Sequence, residues 1–154
     1  MPMFTVRYAH LEARPPLRVG QVIRRGDLIG TMGATGSADG AHLHLDAVRG
    51  LQAHRYNLAA IEAGAPAADP RQAALFVDDE LFGTEPEITA GYADPGYLAD
   101  YGKLHLAFDL VPKNRKRENY GIRWNRSAPG RVVAILKDDP GYGHCVSIAY
   151  EVPA

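Results

Sequence analysis

Over residues 3–50, short apolar runs alternate with glycine- and proline-bearing turns, the pattern of a mostly β segment. Val19-Gly20-Gln21-Val22-Ile23 and Asp27-Leu28-Ile29-Gly30 flank Arg24-Arg25-Gly26, which predicts a tight hairpin. Gly33 to Gly40 is a polar, glycine-rich loop, expected to form a flexible wall beside the strand that follows. It lacks the Gly-Lys-Ser/Thr ending and the following helix of a phosphate loop. From Arg49 to Thr84 the pattern changes and alanines rise. Leu58 to Ala63 predicts a short helix stopped at Gly64, and Asp69 to Phe76 a second helical turn with a capping aspartate and Pro70 in first position. This stretch reads as connector and not as core sheet. Strand chemistry resumes at Glu87 to Tyr92 and returns at Leu104 to Leu110, Gly130 to Leu136 and Cys145 to Val152. The expected fold is mainly β, an antiparallel sheet or sandwich whose two β-rich halves are joined by a short helical connector.

The strand after the glycine-rich loop, Gly40-Ala41-His42-Leu43-His44-Leu45-Asp46, carries two histidines one residue apart. Residues i and i+2 of a strand share a face, so His42 and His44 present two imidazoles side by side. Imidazole is a favoured zinc ligand, and a catalytic zinc takes about three protein ligands with one position left for water. Further ligands are found in His105-Leu106-Ala107-Phe108-Asp109. On an extended segment His105 and Asp109 have the same parity, so both can face one cavity while Leu104, Leu106 and Phe108 pack behind them. With one of the paired histidines they make a His, His, Asp set suited to zinc. Another histidine, His10, follows Tyr8-Ala9.

Composition narrows the partners. A chain of 154 residues, 46% hydrophobic and 23% charged, can hold one continuous core, so a single domain over 1–154 is expected. A net charge of −1 gives no general reason to expect nucleic acid or an anionic membrane; the basic run Lys113-Asn114-Arg115-Lys116-Arg117 reads as a solvated loop. No apolar run is long enough for membrane insertion, and Met1-Pro2-Met3 leads into Phe4-Thr5-Val6 without a signal-peptide pattern. The lone Cys145 excludes an internal disulfide and a multi-cysteine metal site, so a metal here relies on histidine and carboxylate. Core packing is the expected role of Cys145, and of Trp124 a core or groove-wall role. His54 reads as a surface residue, and Tyr92, Tyr97 and Tyr101 as groove-lining or packing residues just before His105.

These residues together resemble the lysostaphin/LytM-type zinc metallopeptidases, which cleave peptidoglycan peptides. The resemblance rests on Ile88 to Tyr92 as an opening strand, His105 with Asp109, Gly130-Arg131-Val132-Val133 and Gly141-Tyr142-Gly143-His144. It extends to Tyr8-Ala9-His10-Leu11, Gly26-Asp27-Leu28-Ile29-Gly30, Thr35-Gly36 and His42-Leu43-His44. His144 stands where the family usually has asparagine, and it is not expected to be a ligand. The order is rotated: residues 3–48 match the family's C-terminal half, 86–152 its N-terminal half, and 49–85 is the connector. A circular permutation would explain this order, with new ends at a hairpin tip. An extended chain spans about 3.3 Å per residue, so the connector is long enough to join the old ends. A domain-swapped dimer, or a segment spanning two tandem domains, fits the same order.

The resemblance implies that His44, His105 and Asp109 bind Zn2+, with His10 and His42 as the catalytic pair, one taking a proton and the other stabilising the oxyanion. Implied with it are a groove holding the metal, a bacterial peptidoglycan peptide as substrate, and no nucleic-acid partner or membrane insertion. Action on the cell wall follows, as a phage-encoded lysin, a virion-associated enzyme or a domain of a longer exported protein. A noncatalytic cell-wall-binding or phage-tail structural module on the same fold is the alternative.

Overall fold

The computed structural model describes residues 3–36, 38, 40–50, 69–92, 94–101, 105–113 and 120–151. The expected helix at 58–63 with its stop at Gly64 lies outside these residues, as do His54, Leu104, residues 114–117, Val152 and the side chain of Tyr101. The described strands are β1 (Met3–Leu11), β2 (Val22–Ile23), β3 (Leu28–Thr31), β4 (Leu43–Arg49), β5 (Pro86–Ala90), β6 (Phe108–Pro112), β7 (Gly121–Arg123), β8 (Gly130–Asp139) and β9 (Gly143–Glu151). Seven of them form one antiparallel sheet in the order β2-β8-β9-β1-β4-β6-β5, and β3 pairs with β7 as a separate ribbon. The fold is mainly β, as the alternation predicts. Residues from both ends of the chain meet in this sheet: β9 runs antiparallel to β1, with Glu151 opposite Met3.

A period of two sorts the side chains of the central strands. Phe4, Val6 and Tyr8 of β1, Leu43, Leu45 and Ala47 of β4, and Val146, Ile148 and Tyr150 of β9 all enter one hydrophobic cluster. Ile29 of β3 and Ile122 of β7 join it, with Trp124 just beyond, so the ribbon packs on the apolar face of the large sheet. The intervening residues, Thr5 and Arg7, His44 and Asp46, and Cys145 and Ser147, belong to the opposite face. Cys145 and Trp124 are buried as expected, and burial pushes the Cys145 thiol up to about 12, leaving it inert as a nucleophile at neutral pH.

Three short helices complete the described structure: α1 (Pro70–Ala74), α2 (Asp79–Phe82) and α3 (Pro95–Tyr101). The first begins as expected, with the Asp69 carboxylate accepting from the N–H groups of Arg71 and Gln72 and Pro70 opening the helix. The connector is more than a bridge, however. Ala73, Phe76, Leu81 and Phe82 lie in the hydrophobic cluster, where Phe76 meets Tyr8, Trp124 and Tyr150 edge-on or tilted. No helix among the described residues is long and apolar enough to cross a membrane.

Two local expectations are corrected. Arg24 to Asp27 do form a tight turn, with Asp27 N–H donating to the Arg24 carbonyl and Gly26 at φ +91°, but β2 and β3 do not pair. Their edges are taken elsewhere: β2 by β8, and β3 by β7, with Gly26 and Asp27 exchanging backbone bonds with Trp124. The glycine-rich loop is pinned at Thr35 and Gly36 instead of forming a free wall. Thr35 Oγ1 donates to the Leu11 carbonyl at 2.6 Å and accepts from His144 N–H, while Gly36 lies so close to Gly143 that a Cβ would overlap its backbone.

Gly130 permits another close approach, since a Cβ there would collide with Ile148 Cγ2 and press on the Trp124 ring. Gly130→Ala is expected to destabilise the protein by about 1–3 kcal/mol through overpacking, read as a lower urea midpoint at unchanged m-value.

Candidate metal centre

The polar face of the sheet is organised by β4. Its pairing with β6 sets His44 opposite Asp109, and its pairing with β1 sets Ala9 opposite His44 and Arg7 opposite Asp46. Opposite residues of an antiparallel pair have neighbouring Cβ atoms on one face, so this register alone brings His44 to Asp109. His44 Nδ1 stands 3.4 Å from Asp109 Oδ1. His42 lies just before the strand, bridged to Gly33, and its Nε2 reaches the same oxygen at 3.5 Å.

His105 arrives differently from the expectation. It precedes β6, which begins at Phe108, so strand parity does not carry it to Asp109. Instead its ring is anchored by Nδ1–H donating to the Gly91 carbonyl at 3.0 Å, with the Tyr97 ring of α3 against it at 4.4 Å between centroids. Thus held, His105 Nε2 is 3.2 Å from Asp109 Oδ1.

His10 depends on a break in the strand. Along β1, Arg7 and Ala9 share the polar face, which would send His10 to the core side. Between Tyr8 and Leu11 the pairing with β9 shifts register, and His10 adopts φ +61°, a left-handed conformation that costs energy for a residue with a Cβ. The extra residue reverses the alternation. Leu11 therefore enters the hydrophobic cluster although it has the parity of Arg7, and the His10 ring lies 4.8 Å from that of His42 and 5.8 Å from that of His44. The kink is tied down by His10 N–H donating to the Tyr142 carbonyl at 2.8 Å.

All four histidines have one ring nitrogen committed outside the cluster. His10 Nδ1 meets the Thr35 carbonyl at 2.7 Å, His42 Nδ1 the Gly40 carbonyl at 2.9 Å, His105 Nδ1 the Gly91 carbonyl, and His44 Nε2 the Asp46 carboxylate at 3.1 Å. Each partner can only accept, so each outer nitrogen carries the proton, and in the neutral ring the other nitrogen keeps its lone pair. The ligand atoms of His44, His105 and Asp109 lie within 4.8 Å of one another. His105 Nε2 and Asp109 Oδ1 are buried without hydrogen-bond geometry to any partner, the signature expected of atoms that a cation would satisfy. Two nitrogens and one carboxylate oxygen are a borderline-to-hard donor set that fits zinc.

Electrostatics follow from this crowding. Burial and the neighbouring His44 and His42 lower the His10 value to about 4, against the pull of the Thr35 carbonyl, so His10 is neutral at neutral pH. For His44 burial acts downwards, but its contacts with Asp109 and Asp46 outweigh it and raise the value to about 9 in the metal-free protein. Burial would raise Asp109, yet His105 and His44 hold it well below the usual carboxylate range. His42 and Asp109 retain 19% and 14% side-chain exposure while His105 has 2%, so solvent reaches the cluster at His42 and Asp109 while His105 is buried. His144 takes no part in the ligand cluster; its backbone N–H supports Thr35. Sequence reasoning assigned Arg7, Asp46 and Gly91 no role in the site, and Thr35 entered only through the Thr35-Gly36 landmark. For Asp46 a signal existed, since it shares strand parity with His44; for Arg7 the parity of His10 pointed to the other face.

The model of Peptidase family M23 matches residues 2–56, a stretch that carries His10, His42 and His44 and ends before His105 and Asp109. Searches of curated proteins and of solved structures gave no match. At the level of the family, the matched segment is similar to metallopeptidases. Metal binding is expected to be stoichiometric for zinc and to be lost in His44→Ala, His105→Ala and Asp109→Ala, as read by calorimetry. Its apparent affinity is expected to rise with pH through the window from about 6.5 to 9, because His44 must release a proton to become a ligand. Stability of the metal-free protein has the opposite slope there. A histidine raised in the folded state stabilises fully below its unfolded value near 6.5, and that contribution is lost as pH rises through about 9.

Proposed function

We propose that this protein is a zinc metalloendopeptidase that hydrolyses peptide crosslinks or stem peptides of bacterial peptidoglycan. The observation that supports this most is the convergence of His44, His105 and Asp109 on one point with His10 and His42 alongside. In this reading the first three hold the ion. When bound there, zinc would supply Lewis acidity and would lower the pKa of a water enough to make hydroxide available at neutral pH. His10, neutral and fixed through Nδ1–H on Thr35, offers Nε2 as the proton acceptor. His42 has its Nδ1–H on Gly40, so in its imidazolium form it donates from Nε2 to the developing oxyanion. Its 19% side-chain exposure supports contact with an incoming peptide.

The same reading makes the chain one metallopeptidase domain over 1–154 in circularly permuted order. Pairing of β9 with β1 supports it, because these strands come from opposite ends of the chain and form neighbouring antiparallel strands of one sheet. The partner is a cell-wall peptide rather than nucleic acid or a membrane interior. The place of action is the cell wall, reached as a phage-encoded or virion-associated lysin or as a domain of an exported protein. A monomer by size-exclusion chromatography is expected of the permuted chain, whereas a strict dimer would point to exchanged halves.

The decisive experiment is digestion of purified sacculi and of a defined muropeptide, with products identified by mass spectrometry. His10→Ala and His42→Ala are expected to keep stoichiometric zinc and to lose about 10²–10⁴-fold in rate, as removal of a proton-transfer group does. His44→Ala is expected to lose zinc and activity together. Protein that binds no zinc, with His44→Ala lysing sacculi as well as wild type, would sink the proposal.

A further inference from the structure

Beside the clustered ligands lies a pair of charges that the proposed reaction does not use. Arg7 and Asp46 are opposite one another on β1 and β4, with side chains only 2% and 3% exposed. The guanidinium grips the carboxylate in fork geometry, Nε to Oδ1 at 2.9 Å and Nη2 to Oδ2 at 3.2 Å. Oxygen Oδ2 also receives His44 Nε2 at 3.1 Å. The guanidinium lies 5.2 Å from the centroid of the Tyr142 ring, itself 5.6 Å from that of His44. A buried ion pair is weak support for stability, because taking two charges out of water offsets most of their attraction. Its position next to a ligand suggests another role.

We propose that Asp46 and Arg7 are positioning residues for the metal centre: Asp46 accepts a hydrogen bond from His44 Nε2–H, so that Nδ1 is the nitrogen His44 presents to the ion, and Arg7 fixes Asp46 for that task. This rests on the metal-centre reading of His44, His105 and Asp109. The chemistry is specific. Arg7 only donates, so it occupies acceptor sites on the carboxylate and holds it in one orientation. Asp46 is then left with an acceptor and no proton facing His44. Of the two nitrogens, Nδ1 already looks at Asp109 Oδ1. The other three histidines reach the same state through backbone carbonyls. Only His44 uses a charged side chain, because Nε2 points along the strand towards residue 46, whose own parity places it on the same face.

Asp46→Asn tests the proton's direction while keeping the shape. The amide oxygen would turn to Arg7, and the NH2 would face His44 Nε2 as a donor, forcing the proton onto Nδ1. Zinc affinity, measured by competition with a chelator well below the unfolding temperature, is expected to fall about 10–100-fold. Asp46→Glu should recover part of it. In the zinc-loaded wild type, 15N NMR is expected to show His44 protonated at Nε2 and metal-bound at Nδ1. Should Asp46→Asn fail to fold, the double variant Arg7→Met, Asp46→Leu removes both charges together and leaves Nε2 without its acceptor; it is expected to bind zinc more weakly as well. Folded variants that bind zinc as the wild type does, or a wild-type His44 bound through Nε2, would overturn the positioning role alone. Wild-type protein that takes up no zinc would remove the metal-centre reading itself.

Discussion

The register of β4 between β1 and β6 is the constraint on which the rest depends. Because side chains alternate with a period of two, this register decides at once which residues enter the core and which meet across the polar face. Leu43, Leu45 and Ala47 fill the hydrophobic cluster only if His44 and Asp46 face away from it. In the same register His44 falls opposite Asp109 and Asp46 opposite Arg7. A slip of one residue would bury the imidazole and carboxylate among apolar side chains and expose the leucines, so the hydrophobic effect that holds the sheet also holds the site in alignment.

The polar face is assembled on this frame from groups that would be unfavourable singly. Four imidazoles and two carboxylates crowd together, and each histidine is anchored outside the cluster by an acceptor. The carboxylates counter the charge: Asp109 lies against three of the rings, while Asp46 is matched by Arg7. Strain is concentrated at His10, whose left-handed backbone is stabilised by Tyr142 and Thr35 from two different parts of the chain. The groups that hold His10 in place thus come from loops far apart in sequence, tied by hydrogen bonds to backbone carbonyls.

The strands, the mainly β class and the participants of the cluster could be read from the chain. Alternation marked β1, β4, β8 and β9, and residue chemistry pointed to the paired histidines and to His105 with Asp109. The route by which His105 arrives was not legible. Strand parity was the expected reason, whereas the ring is set by Gly91 and Tyr97 from outside β6. Nor was the kink that turns His10 to the site, since no glycine at that position announces a positive φ. The stretch 69–85 looked like a connector because it breaks the strand alternation with alanines, Pro70 and a locally capped helical turn, yet Phe76, Leu81 and Phe82 complete the core. The turn at Arg24 to Asp27 was visible, but the choice of strand partners lay with residues about a hundred positions away.

What the sequence determined by itself is the set of local facts: which residues alternate, where a helix can be capped, and which side chains can ligate, donate or accept. These follow from covalent geometry and residue chemistry within a few positions. Tertiary structure alone decided which nitrogen of each ring is free, which carboxylate faces which histidine, and where the backbone must bend. Those outcomes depend on hydrogen-bond partners and strand neighbours brought together only when the core forms. Local sequence carries no record of them.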